Sequence, residues 1–499
     1  MKKEKGISLI VLVITIIVII ILAGTVVLSI ANNSPIDKAS EAAFKTTNRE
    51  YSTELDMESI SSFANGIDPF DLEVSSANIK DHISVIKPSD ETKYNIQNGE
   101  LAYIGTNEKE GLWVNELDIL NGNAPKMQPV KVPNVSATDE GLTSAAATND
   151  GGFVTITSMT VATQRHAYIN LIDKDYNLVR RVDLYIVNNT SLREVLVLSN
   201  GNIAVAGYTM NASNIPTAIM LLYSPSLDEL KREIYPIPKT SYTSWGRNII
   251  PTPAGGFMVL NSAEKLNASQ QITDAYASIY SYDASGNKIL NNVEVRCLDA
   301  GLFLVYDGVA SPNGNIYLCG NNYKSGKATP NVIGINALGQ AKYEYVLTTA
   351  SPYGEYRYMS ILSDGTLVLD RISCTSSAGN PYETAVETID YLNVSTNQIK
   401  NVNLGIAAGL PIILDVSTGY KDNVIVVSLD ITETPSVYKY KIFKLSKDGD
   451  IRWTTIGQAG QTNIVLKLLY SSKNKYTIFG QYKATTTSPY AAYVADMIP

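Results

Sequence analysis

Asp173, Asp175 and Asn177, in the stretch DKDYN, place side-chain oxygens at alternate positions, the spacing with which an oxygen-ligated calcium loop opens. The rest of such a loop is missing, since Leu178 stands where its glycine belongs and Leu184 where its closing glutamate belongs. DASGN and KDGD occupy the same place in later segments, so the pattern predicts a polar hairpin turn. Glycan hydrolysis needs two carboxylates across the scissile bond, and these can come from distant segments. No such pair stands out among the 48 Asp and Glu residues. Cys297, Cys319 and Cys374 have no CxxC spacing and read as buried small hydrophobes. His82 and His166 are the only histidines, which excludes a histidine-rich metal centre. On these residues the chain is expected to be no enzyme and to carry no cofactor and no metal.

Tyrosine is abundant, 31 residues against 8 phenylalanines. Its apolar ring and polar tip suit contacts with sugars or proteins. SPYGEYRY, with Tyr353, Tyr356, Arg357 and Tyr358, and PSVYKYK, with Tyr438 and Tyr440, are the candidate binding loops. Their expected ligand is an extracellular glycan or protein. Nucleic acid is excluded as a partner, because a net charge of -8 without a basic stripe cannot neutralise a phosphate backbone.

The segment that must display these loops is at the other end. Ile7 to Ile30 contains no charged residue and only Ser8, Thr15, Thr25 and Ser29 as polar side chains. As a helix it is about 36 Å long, enough for a hydrocarbon core of about 30 Å. Lys2, Lys3 and Lys5 precede it, so the positive-inside rule keeps the N-terminus in the cytoplasm and the bulk of the chain outside. The expected localisation is a single-pass position in the cell membrane.

The junction KKEKG|ISLI resembles the start of type IV pilin and pseudopilin precursors, a short basic leader ending in glycine and then an apolar helix. The resemblance implies cleavage by a prepilin peptidase between Gly6 and Ile7, N-methylation of Ile7, and partnership with other pilin-like subunits. At the fifth mature position this chain has Val11 in place of the family's usual glutamate. A valine there is a poor acceptor for a neighbouring subunit's buried amine, which points to a minor subunit at a filament tip.

Ser34 and Pro35 suit a helix start, and Ile36, Ala39, Ala43, Tyr51 and Leu55 recur at helical spacing. Beyond residue 126 a unit recurs that opens with a turn and an apolar strand, as in NDGGFVTITS, SNGNIAVAGY, PAGGFMVLNS and PNGNIYLCGN. The first apolar strand residues are Phe153, Ile203, Phe257, Ile316, Leu367, Val424 and Tyr476. Four strands fit each unit of about 50 residues, which is what a β-propeller blade needs. The pattern resembles pyrroloquinoline-quinone-type repeat propellers. The last unit stops after three strands, and Met127 to Asn134 is expected to supply the fourth and close the ring.

The sequence thus predicts a mainly β chain: a leader at 1–6, a transmembrane or filament-core helix at 7–30, a stalk helix at 31–65, a small α/β region at 66–126, and a seven-bladed propeller at 127–499. The function it predicts is surface display for adhesion or recognition. The alternatives are an envelope scaffold outside any filament and a surface hydrolase acting on glycans.

Overall fold

The computed structural model describes residues 35–64, 74–97, 100–114, 120–121, 130–131, 140–161, 164–184, 190–236, 242–269, 271–347, 353–374, 384–406, 413–419, 422–430, 439–456, 462–470, 476–483 and 491–497. Gly6, Ile7, Val11 and Tyr438 lie outside them. Among the described residues no helix is long and apolar enough to cross a membrane. The chain divides into two compact units, 1–125 and 126–498.

In the first unit a helix spans Pro35–Ala64, with proline in the first turn, where its missing N–H leaves no bond unmade. Phe44, Asn48, Tyr51 and Leu55 fall on one face at helical spacing. The apolar three pack with Ile79, Ile83, Ile86, Tyr94 and Tyr103 in one small core. The Tyr51 hydroxyl donates to Asp90 at 3.0 Å and accepts the Lys87 amide at 3.0 Å, so the polar tip of a buried ring is satisfied. A three-stranded sheet, Tyr94–Gln97, Glu100–Tyr103 and Leu120–Asn121, and a short helix, Glu108–Val114, complete the unit.

The second unit is mainly β, with antiparallel sheets in a propeller arrangement. The described strands form five four-stranded sheets and one eight-stranded sheet. The eight-stranded sheet consists of two four-stranded halves joined by one parallel pair, Ala328 with Tyr353. The first strands of these groups are Glu140–Ala147, Ser191–Val197, Tyr242–Pro251, Leu302–Ala310, Tyr353–Ile361, Ile413–Thr418 and Thr462–Tyr470. Each packs against the next, and the last packs against the first. Val130–Lys131 pairs antiparallel with Ala491–Met497, through Val130 with Val494 and Lys131 with Tyr493.

Composition follows position in the sheet. Pro216–Tyr223, the third strand of its sheet, is buried at every residue, whereas the outer strand Glu229–Ile234 is buried at none. Stacked sheets cover both faces of the inner strands, and each fully buried Leu or Ile there contributes about 1.5–3 kcal/mol. Among the described residues, the turns after the first strands place one residue in the left-handed region, as at Gly201 (φ 84°), and Asp422 (φ 61°) takes that place in KDN. DKDYN is a hairpin turn. Asp173 Oδ1 accepts the amides of Asp175 and Asn177, and Asp283 in DASGN repeats this with Ser285 and Asn287.

Candidate functional site

Every first strand breaks its register once, at the same level. Strand pairing skips Thr143, Arg193, Arg247, Tyr306, Leu414 and Leu466, and in the strand Tyr353–Ile361 it skips Arg357 and Tyr358 together. A bulge of this kind inserts an unpaired residue and re-aims the side chains around it. All the skipped residues line one pocket of about 560 Å³, together with Glu194, Asn248, Asp307, Asp415 and Lys467, which follow directly after bulges. The strands approach closely here: a Cβ on Gly246 would lie 2.0 Å from the Gly207 carbonyl oxygen.

Lys467 holds the centre of a charge network. Its ammonium lies 3.3 Å from Asp415 and 3.7 Å from Glu194. Burial alone lowers its pKa, yet Asp415, Glu194 and Asp307 together hold it above the usual lysine value. Ser144 donates to Glu194 at 2.8 Å, and Asp415 accepts the Ser417 hydroxyl at 2.7 Å and the Leu468 amide at 3.3 Å. Burial raises the Glu194 pKa despite the lysine.

Asp307 is the unusual carboxyl. It accepts the amides of Gly308 at 2.7 Å and Met359 at 2.9 Å, and also the Asn248 side chain. Burial outweighs these donors and pushes its pKa up to about 7. A carboxyl that gains and loses its proton near neutrality is matched to general acid or base work.

The three pocket arginines differ. Arg247 reaches Glu264 at 3.1 Å and Arg357 reaches Glu355 at 2.6 Å, so both are already ion-paired. Arg193 is exposed, makes no ion pair with a described residue, and rests 5.7 Å from the centre of the Tyr208 ring. Tyr208 is propped edge-on by Trp245 at 4.7 Å. An uncommitted guanidinium on an aromatic platform is a receptor for a carboxylate or sulfate.

The candidate binding loops take a different form in the structure. SPYGEYRY runs into a first strand, and Arg357 and Tyr358 line the pocket. Tyr353 opens that strand and donates to Glu355 at 2.7 Å. Tyr356 is fully buried and donates to Asp390 at 3.0 Å, so it is a core residue. Tyr440 is buried within the strand Lys439–Leu445, opposite Leu429. Tyrosine suits a packed strand as well as a wet surface, and composition alone cannot separate the two.

Arg193, Glu194, Arg247, Asp307, Asp415 and Lys467 escaped the sequence reading, although a signal existed. The bulge residue stands eight positions before the left-handed turn residue: Thr143 before Gly151, Arg193 before Gly201, Arg247 before Gly255, Tyr306 before Gly314, Arg357 before Gly365 and Leu414 before Asp422. Aligning the units on their turns stacks these positions into one column.

No protein-family model and no curated protein matches the chain, so the resemblances to pilins and to quinone-type repeats rest on the quoted residues alone. Solved structures do match. An ulvan lyase, from a new family of polysaccharide lyases, with bound -[GlcA(1-4)Rha3S]-, aligns at 10% identity and TM-score 0.50, covering 74% of this chain and 96% of its own. A second structure of an ulvan lyase from a new family of polysaccharide lyases aligns at 9% identity and TM-score 0.50, over 74% of this chain and 96% of its own. A protein of unknown function from Dyadobacter fermentans aligns at 10% identity and TM-score 0.42, over 75% of this chain and 100% of its own. At such identity the likeness is one of fold. It corrects the expectation that the chain is no enzyme: the shared fold is one that carries catalysis, in a lyase whose sequence resembles this one no more than chance allows. The absence of a carboxylate pair in the linear sequence was therefore no ground for excluding chemistry.

Proposed function

We propose that this chain is a surface-displayed, glycan-active hydrolase whose central pocket takes an acidic polysaccharide. The observation that carries the reading is the convergence of register breaks, which aims Arg193, Tyr306, Tyr358, Asp307, Asp415 and Lys467 into one pocket. Arg193 receives the acidic group of the sugar, and the Tyr306 and Tyr358 rings offer apolar faces to sugar C–H surfaces. Burial pushes the Tyr358 hydroxyl up to about 12, so it stays neutral. Asp307 in its protonated form donates to the leaving glycosidic oxygen. Asp415, 3.3 Å from the Lys467 ammonium, supports the attacking water or the developing charge. The ulvan lyase on the same fold acts on an acidic glycan, which agrees with this substrate class and adds nothing about residues. The test is to incubate the purified full-length chain with uronate-containing, sulfated and neutral polysaccharides. New reducing ends are expected from an acidic member. Turnover of neutral glycans alone, or of none, overturns the reading.

The framework of this proposal is a seven-bladed ring in which Met127 to Asn134 supplies the outer strand of the last blade. The pairing of Val130 and Lys131 with Val494 and Tyr493 supports it. Deleting 127–134 is expected to lower the melting temperature of the whole propeller, since it exposes a sheet edge at the closing seam. An unchanged melting temperature counts against closure by this strand.

Display rests on the N-terminus. Cleavage by a prepilin peptidase after Gly6 leaves Ile7 as a methylated first residue, and Val11 fits a minor subunit, at a filament tip, bearing the propeller outside the cell. Mass spectrometry of the mature protein is expected to find N-methylated Ile7. An intact leader, or cleavage after the apolar run, overturns the pilin-type route.

A further inference from the structure

Outside the central pocket, three metal-binding side chains meet at the outer strands of two neighbouring sheets. Cys297 and Asp299 follow the outer strand Lys288–Val295, and Glu344 stands on the outer strand Ala341–Val346. Cys297 Sγ, one Asp299 oxygen and one Glu344 oxygen lie within 4.8 Å of one another. The thiol is buried, whereas the Asp299 side chain is 44% exposed, so the group has a route to solvent.

Two buried amides give an independent observation. Asn331 is 0% exposed and Asn322 is 2% exposed. The Asn331 side-chain nitrogen donates to Cys297 Sγ at 3.2 Å and to Glu344 Oε1 at 2.8 Å, and that of Asn322 donates to Asp299 Oδ1 at 2.9 Å. The Oδ1 atom of each has no hydrogen-bond partner. A buried carbonyl oxygen left without a donor is destabilising. Both amides therefore stand at the cluster with an unused oxygen, and a half-turn about the last side-chain bond aims that oxygen inward. Amide orientation follows the charges it faces, and here it faces anions.

We propose that Cys297, Asp299 and Glu344 bind one divalent cation of the zinc class, with Asn331 turning its oxygen inward as a fourth ligand. A sulfur ligand with two carboxylates selects zinc or cobalt over magnesium and calcium, which prefer oxygen alone. The cation ties the segment after one outer strand to the outer strand of the next sheet, adding to the hydrogen bond that the Leu298 amide donates to Glu344 Oε2 at 2.7 Å. Lys324 is the competitor, since its ammonium lies 3.1 Å from Asp299 Oδ2. The thiolate is the form that binds such a cation, so the thiol proton leaves to solvent on binding.

Cobalt(II) is the probe, added to the purified full-length chain after treatment with a chelator. The expected result is a thiolate-to-cobalt charge-transfer band that saturates at one equivalent and disappears when zinc is added. Cys297→Ser abolishes the band. Glu344→Gln, at a partly exposed position, weakens cobalt binding at least about tenfold while the melting temperature of the metal-free protein stays close to that of the parent. Lys324→Met tightens it. No band, or a band that survives Cys297→Ser, overturns the proposal, as does a dissociation constant unmoved by both Glu344→Gln and Lys324→Met.

Discussion

Replacing Lys467 by methionine is expected to destabilise the second unit by about 3 kcal/mol, the low end of the cost of removing one partner from a buried ion pair. The low end applies because the Lys467 side chain keeps 26% of its exposure. Methionine fills the space of the alkyl stem, so lost packing is small. What remains is two carboxylates, Asp415 and Glu194, facing each other across the pocket without their common cation. Equilibrium unfolding in urea reads the loss. Adding Asp415→Asn to the same chain is expected to recover part of it, because the second change removes one uncompensated charge. Equal stability of Lys467→Met and the parent sinks the assignment, and so does a double variant that is worse than the sum of its singles.

Asp307→Asn is expected to lower turnover of the acidic glycan by about 10²–10⁴, the usual contribution of a general acid, with a small effect on binding. In the parent, turnover declines as pH rises through about 7, because the catalytic form is the protonated one. The same residue leaves a mark on stability that does not depend on any substrate. Its folded pKa, about 7, lies above the ordinary aspartate value of 3.8, so the folded state holds a proton that the unfolded state has released. That contribution is fully present below pH 3.8 and is lost as pH rises to about 7. Asn cannot ionise, so the variant is expected to gain stability relative to the parent across that window. A pH-independent difference shows that Asp307 titrates normally and removes it as the acid. A normal stability profile with unchanged turnover leaves no role for it in the pocket.

The two arms separate failure of the site from failure of the substrate class. If stability shifts as expected and no acidic glycan is cleaved, the proton on Asp307 is real and the proposed chemistry is wrong.

Much of the architecture was legible locally. Turns such as SNGN and PAGG mark themselves because only a few residues accept the left-handed backbone, and Gly201 and Gly255 stand there with φ of 84° and 81°. Apolar runs such as IAVAG declare buried strands, since a strand covered on both faces has no polar alternation to show. Phe44, Tyr51 and Leu55 mark one helical face by spacing alone. The sequence could therefore determine a repeating β unit, a helix before it, and an uncharged N-terminal run preceded by lysines.

Only the tertiary structure decided which residues meet. Glu194, Asp307, Asp415 and Lys467 stand 52 to 113 positions from one to the next and share no motif, yet the packing of first strand on first strand brings them to one pocket. The register breaks decide which side chains turn inward, and a one-residue shift in pairing depends on the partner strand, which local spacing does not encode. Burial is decided the same way: Tyr356 and Tyr358 are two positions apart in one candidate loop, and one lies in the core while the other faces the pocket. Burial takes a carboxylate out of water and favours its neutral form, so the raised pKa of Asp307 exists only once the strands have closed around it.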